Sequence, residues 1–179
     1  MIETKDKLLD AATKVLLADG AQAFTLEAVA HQAGVSKGGL LYHFNSKRAL
    51  VVGMVDRLIG QFTASLATAG AEPGAATRAY LAATVESRHT EANSAADRTT
   101  IALFAAALVE PGTLAPLRES YQAWQQRLEQ DGLDPGVSTA VRLAVDGWWL
   151  ARLLDLAPPS PDLHERVHGV LVDLIARST

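Results

Sequence analysis

The sequence predicts an all-α protein. Apolar residues recur at helical spacing from end to end, no stretch alternates with period two between hairpin turns, and the breaks between periodic segments carry helix-ending residues. In the first segment Leu8, Ala12, Val15 and Leu16 share a face that Lys7, Asp10 and Lys14 avoid, and Gly20 follows as a stop, so a helix is expected over about Glu3 to Asp19. Thr25 is an N-cap for a second helix with Leu26, Val29, Ala30 and Ala33 at helical spacing, ended by Gly34. Ser36 caps a third helix of barely two turns, Lys37 to Phe44. Ser46 then caps a long fourth helix with Leu50, Met54, Leu58 and Phe62 on one side. Beyond the turn Ala71-Glu72-Pro73-Gly74, helical stretches are expected near 74–91, 95–109, 113–131, 136–156 and 161–177. Pro111-Gly112, Gly132 with Pro135-Gly136, and Pro158-Pro159-Ser160-Pro161 separate them, giving about nine helices in all.

Composition fits a chain that buries a core: of 179 residues, 49% are hydrophobic and 20% charged, far from the disordered class. The absence of cysteine excludes disulfides, thiolate metal sites and cysteine nucleophiles. The first residues have no basic segment leading to an apolar stretch, and the longest apolar run, Ile101 to Val109, is far short of the ~20 residues that span a bilayer. A cytoplasmic location is the expectation. The net charge of −4 conceals an asymmetry: residues 1–60 hold seven Lys and Arg against six acids, whereas the rest hold nine Arg against fourteen acids. All five lysines lie at or before Lys47, and no acid occurs between Glu27 and Asp56. A local cationic surface near the N-terminus is therefore available for phosphate.

The segment from Thr25 to Leu50, TLEAVAHQAGVSKGGLLYHFNSKRAL, has the layout of a helix-turn-helix: a supporting helix, a tight turn through Gly34 and a short recognition helix. Small Ala30 allows the two helices to approach closely. Gly38 and Gly39 together cost such a helix about 2 kcal/mol relative to alanine, a cost that close approach of the backbone to a DNA groove would justify. Leu26, Val29, Leu40 and Phe44 are assigned to the small core, and Leu41 fits either core or groove.

Through AGVSKGGLLYHFNSKRAL, and the spacing back to Thr25 and to Leu8-Leu9-Asp10-Ala11-Ala12, residues 4–53 resemble the TetR family of bacterial regulators. The resemblance implies that Thr25 and Lys47 anchor phosphates, that Tyr42 packs on the sugar-phosphate backbone or a thymine methyl, and that His43 assists at a phosphate. It places Ser36, Lys37, Gly38 and Gly39 at base edges. Lys37 is the only long side chain of those four, and lysine can donate to guanine O6 and N7. Taken singly, each of these residues is as well explained as a cap, a solvated side chain or a core aromatic; their order and spacing carry the assignment.

The remainder resembles the family only in helical layout. It implies a division into a DNA-binding domain over 1–46 and a ligand-binding and dimerisation domain over 47–179. It also implies a homodimer formed by the last two helices. Val141, Ala144, Val145, Gly147, Trp148 and Ala151 would make an apolar, small-residue surface for it, with Leu163, Val167, Val170, Leu171 and Leu174 repeating at i, i+4, i+7, i+8 and i+11 on the last helix. A sensor pocket for a small effector is expected from Phe62, Phe104, Tyr121, Trp124 and Trp149, with Arg88, His89 or Asp146 as orienting groups, although aromatics at helical spacing are more often core. The function expected is a ligand-responsive repressor that binds a palindromic operator as a homodimer and needs no cofactor.

A competing reading is a helical metalloenzyme. His164-Glu165-Arg166-Val167-His168 matches the H-E-x-x-H zinc motif, and Glu86-x-x-His89 repeats the E-x-x-H spacing of di-iron bundles. The first lacks a recognisable third ligand and the second lacks assigned glutamates on neighbouring helices. No metal site is expected.

Overall fold

The computed structural model describes residues 2–85, 100–105, 107 and 112–179, and among these residues there is no strand. Eight helices are bounded among them: α1 (Ile2–Ala23), α2 (Leu26–Ala33), α3 (Lys37–His43), α4 (Lys47–Ala67), α5 (Ala75–Val85), α6 (Ala115–Glu129), α7 (Pro135–Leu153) and α8 (Pro161–Ala176). A further helical stretch covers 100–105. Contacts divide the chain into two compact units, Met1–Ile59 with Ser94–Arg118, and Gly60–Asn93 with Glu119–Thr179. Helices α4 and α6 each contribute residues to both.

In the first unit, α1 runs to the predicted stop, where Gly20 takes φ 75° and kinks the helix. Leu8, Leu9, Ala12, Val15 and Leu16 are buried against Val29, Ala30 and Leu40, as the sequence pattern required, and Leu26 packs at the edge of this core. By length and composition α4 could cross a membrane, with a mean hydropathy of 1.3. Its apolar residues Leu50, Val51, Met54 and Val55 are instead enclosed in this unit's core. Gly53 lets α4 approach closely, because a Cβ there would lie 2.6 Å from the buried Phe44 ring. The Arg57 guanidinium donates to Asp10 Oδ1 at 2.6 Å and to Thr13 Oγ1 at 3.1 Å, fastening α4 to α1.

In the second unit the two predicted breaks near 73 and 132 meet. Gly74 N–H donates to the Asp131 carbonyl at 2.7 Å, and Gly132, at φ 78°, lies so close to Pro73 that a Cβ would sit 3.1 Å from it. The buried Asp131 carboxylate then accepts from Ala76 N–H at 3.0 Å, and from Thr77 N–H and Thr77 Oγ1–H, each at 2.8 Å. This distant side chain serves as the N-terminal cap of α5, holding a negative charge where the helix leaves its amides unpaired. Asp134 caps α7 locally, accepting from Gly136 N–H at 2.7 Å.

Candidate nucleic-acid interface and aromatic cluster

Three short-range caps set the helix-turn-helix. Thr25 Oγ1 accepts from Ala28 N–H at 3.2 Å, Ser36 Oγ from Gly39 N–H at 3.0 Å and Ser46 Oγ from Ala49 N–H at 3.0 Å, so the starts of α2, α3 and α4 are each fixed by a hydroxyl. Gly34, at φ 66°, ends α2 in the left-handed region and turns the chain into α3.

These three helix starts converge. The Lys37 ammonium, at the first position of α3, is paired with the Glu27 carboxylate in the first turn of α2. Lys47 Nζ, at the first position of α4, lies 5.6 Å from the centre of the Phe24 ring, next to the Thr25 cap. The partly positive amino ends of three helices, two lysines and a run of sequence with one acid are thus gathered together, which is an arrangement suited to anions. The Lys37 hydrogen bond holds the Glu27 carboxyl below the usual carboxylate range.

Of the residues expected to touch DNA, Thr25, Ser36, Lys37, Gly38, Gly39 and Tyr42 are exposed, and His43 and Lys47 are half-buried. Tyr42 is 78% exposed, with its ring edge-on to His43 at 5.1 Å, so it is not a core aromatic. A Cβ on Gly38 or Gly39 would meet only ordinary contacts, at 3.8 and 3.4 Å from Ser36 Oγ. The protein's own packing therefore gives no reason for either glycine. Leu41 is half-buried.

In the second unit, residues of α4 to α7 form an aromatic cluster around a carboxylate. Phe62 is edge-on to Tyr80 at 5.0 Å and tilted on Trp124 at 4.6 Å, and Tyr121 lies 5.0 Å from Trp124. Tyr80 Oη–H donates to Asp146 Oδ1 at 2.6 Å, Arg142 Nη1 to Asp146 Oδ2 at 2.7 Å and Trp124 Nε1–H to Thr63 Oγ1 at 3.1 Å. Burial raises the Asp146 carboxyl above its ordinary range, against the pull of Tyr80 and Arg142. Burial and then Asp146 push the Tyr80 and Tyr121 hydroxyls up, and Tyr80 is the one that donates to Asp146.

Phe62, Tyr121, Trp124 and Asp146 were expected together and are brought together. Trp149 is half-buried on α7, and Phe104 falls in the first unit rather than with the cluster. Arg88, His89 and the Glu86-x-x-His89 motif lie outside the described residues. Tyr80, Arg142 and Gln125, which accepts from Arg142 Nε–H at 2.5 Å, were missed. Only Arg142 carried a sequence signal, standing one helical turn before Asp146.

The last two helices are apolar on two sides. Val141, Val145 and Leu153 of α7 and Leu171 and Ile175 of α8 are buried within the subunit. This corrects the expectation that Val141, Val145 and Leu171 belong to an outer face. The outward stripe keeps Leu163, Val167, Val170 and Leu174 on α8, and on α7 it runs through Leu143, Gly147 and Leu150 to the C-cap Leu154, each row at i, i+4, i+7, i+11. Leu143 is 57% and Val170 65% exposed. Trp148, Ala151 and Val167 are half-buried, and nothing stands within 4 Å of a Cβ on Gly147. His164 of the H-E-x-x-H motif stands edge-on to Trp148 at 4.6 Å. Among the described residues no three His, Cys, Asp or Glu side chains are grouped to hold a metal ion.

Comparison with known proteins agrees with this geometry. Residues 8–54 match the family model for bacterial regulatory proteins of the tetR family, and residues 74–176 match the tetracyclin repressor-like C-terminal domain. Over 45 residues, 25% of this chain, it is 42% identical to the HTH-type transcriptional regulator SrpR of Pseudomonas putida and to the HTH-type transcriptional regulator TtgW of the same species. Those matches span 21% and 34% of the two relatives' lengths. Among solved structures, a transcriptional regulator from Rhodococcus sp. Rha1 superposes with a TM-score of 0.71 at 23% identity, covering 97% of this chain and 96% of its own. A TetR-family member from Streptomyces coelicolor A3 gives 0.71 at 24% identity, with 97% and 98% covered. The multidrug binding protein EbrR, complexed with malachite green, gives 0.66 at 23%, with 96% and 97% covered. With its helix-turn-helix and its C-terminal helices both matched, the chain belongs to the TetR family of DNA-binding transcriptional regulators.

Proposed function

We propose that this chain is a ligand-released repressor that grips a palindromic operator as a homodimer. The observation that carries the reading is the convergence of the α2, α3 and α4 starts around Lys37 and Lys47, with Tyr42 turned outward and Gly38 and Gly39 unobstructed. Ser36, Lys37, Gly38 and Gly39 would meet base edges; Thr25, His43 and Lys47 would meet phosphates. Gly38→Ala and Gly39→Ala are each expected to stabilise the folded chain by up to about 1 kcal/mol while weakening operator binding at least ~ten-fold. Urea unfolding beside fluorescence anisotropy of a labelled duplex checks both signs.

The outer stripes of α7 and α8 supply the face for a second copy, since two apolar rows, one of them opened by Gly147, suit close helix packing. Leu150→Glu with Val170→Glu is expected to give a monomer in sedimentation and to lower operator affinity by more than ~100-fold, because a lone recognition helix reads half of the site.

The aromatic cluster around Asp146 is the proposed effector site, with Phe62, Tyr80, Tyr121 and Trp124 as walls and Arg142 and Asp146 as orienting groups. That the neighbour EbrR is a multidrug binding protein supports an aromatic or apolar effector. Helix α4 has residues in both compact units, so an effector preferring one direction of α4 biases the recognition helices; one of equal affinity for both states shifts nothing. The test is the distance between spin labels on the two recognition helices of a dimer. A ligand that releases DNA should change it, and an unchanged distance refutes the mechanism.

A further inference from the structure

Between Asp19 and Asp56 the chain has one acidic residue, Glu27, and its carboxylate pairs with the one long side chain among the positions expected at base edges, Lys37. Both side chains are largely exposed, and an exposed ion pair adds little to folding. The pair joins the first turn of α2 to the first residue of α3, at the surface where the three helix starts meet.

We propose that Glu27 is a positioning residue that sets sequence specificity: it holds the Lys37 ammonium away from phosphates and aimed at a base edge. The inference rests on the DNA-binding reading above. An ammonium has three donors; one given to Glu27 leaves two, the number guanine O6 and N7 accept. A lysine without that partner is a mobile point charge that meets any phosphate and raises affinity for every sequence. Paired with it, the carboxylate also cancels the Lys37 charge in the non-specific mode.

The test compares wild type, Glu27→Gln, Lys37→Gln and the double variant on an operator chosen by selection and on an unrelated duplex of equal length, at several salt concentrations. Glu27→Gln is expected to bind the unrelated duplex several-fold tighter, with the slope of log affinity against log salt steeper by about one. The operator-to-unrelated ratio should fall about ten-fold. With Lys37 already replaced, Glu27→Gln should leave that ratio unchanged; a fall that depends on Lys37 is what a general charge effect or a folding role, acting on both duplexes alike, would not produce. If wild type discriminates and Glu27→Gln keeps the full ratio, the proposal is overturned while the operator reading stands. If wild type itself does not separate the two duplexes, the operator reading falls and this proposal with it.

Discussion

Alanine at Lys37, Tyr42 and Lys47 together is expected to lower operator affinity roughly a thousand-fold while leaving a folded protein. A lysine at a base edge is worth about 1–3 kcal/mol of discrimination, and with a phosphate contact and the Tyr42 ring also removed the loss reaches about 4 kcal/mol, three decades in affinity. Folding loses little, since Tyr42 and Lys37 are exposed and Lys47 gives up only its place over the Phe24 ring, a contact worth roughly 0.5–1 kcal/mol. Anisotropy with a labelled operator and thermal unfolding measure the two quantities side by side. A loss below ten-fold would mean that DNA is held elsewhere.

Asp131→Ala carries the largest expected effect on stability. The variant leaves Ala76 N–H, Thr77 N–H and the Thr77 hydroxyl facing an emptied site; Thr77 is fully buried and Asp131 nearly so. Each unsatisfied buried group costs about 1–3 kcal/mol, so a loss of about 3–5 kcal/mol is expected, a large share of a typical domain's stability. Asp131→Asn retains one acceptor but turns its amide donors toward a donor, and an intermediate loss of about 2 kcal/mol is expected. Urea unfolding followed by circular dichroism gives the values. An Asp131→Ala variant within about 1 kcal/mol of wild type would show that α5 does not depend on this cap.

The helix-turn-helix was legible because its determinants are local. Thr25, Gly34, Ser36 and Ser46 each act on backbone within a few residues of themselves, so their spacing announces where α2, α3 and α4 begin and α2 ends. Asp131 acts on amides 54 and 55 positions away and resembles any acid at a helix end until the turn at Gly74 is seen against it. The Tyr80 bond to Asp146 spans 66 positions and was hidden for the same reason. The last two helices failed differently: they are apolar on two faces, and periodicity cannot tell an inward stripe from an outward one. Leu171 and Val170 are adjacent in sequence, yet one is buried and the other 65% exposed. Likewise spacing alone names no partner for Lys37, and only the fold brings Glu27 to it.

Selection of bound sequences from a random pool of double-stranded DNA, with the winner then titrated at several salt concentrations, tests the central claim most directly. The account predicts an inverted repeat with half-sites about one helical turn, ~34 Å, apart, bound by two copies of the chain with affinity falling steeply as salt rises. Folded protein that enriches no sequence, or one that enriches a single unrepeated site as a monomer, would contradict it.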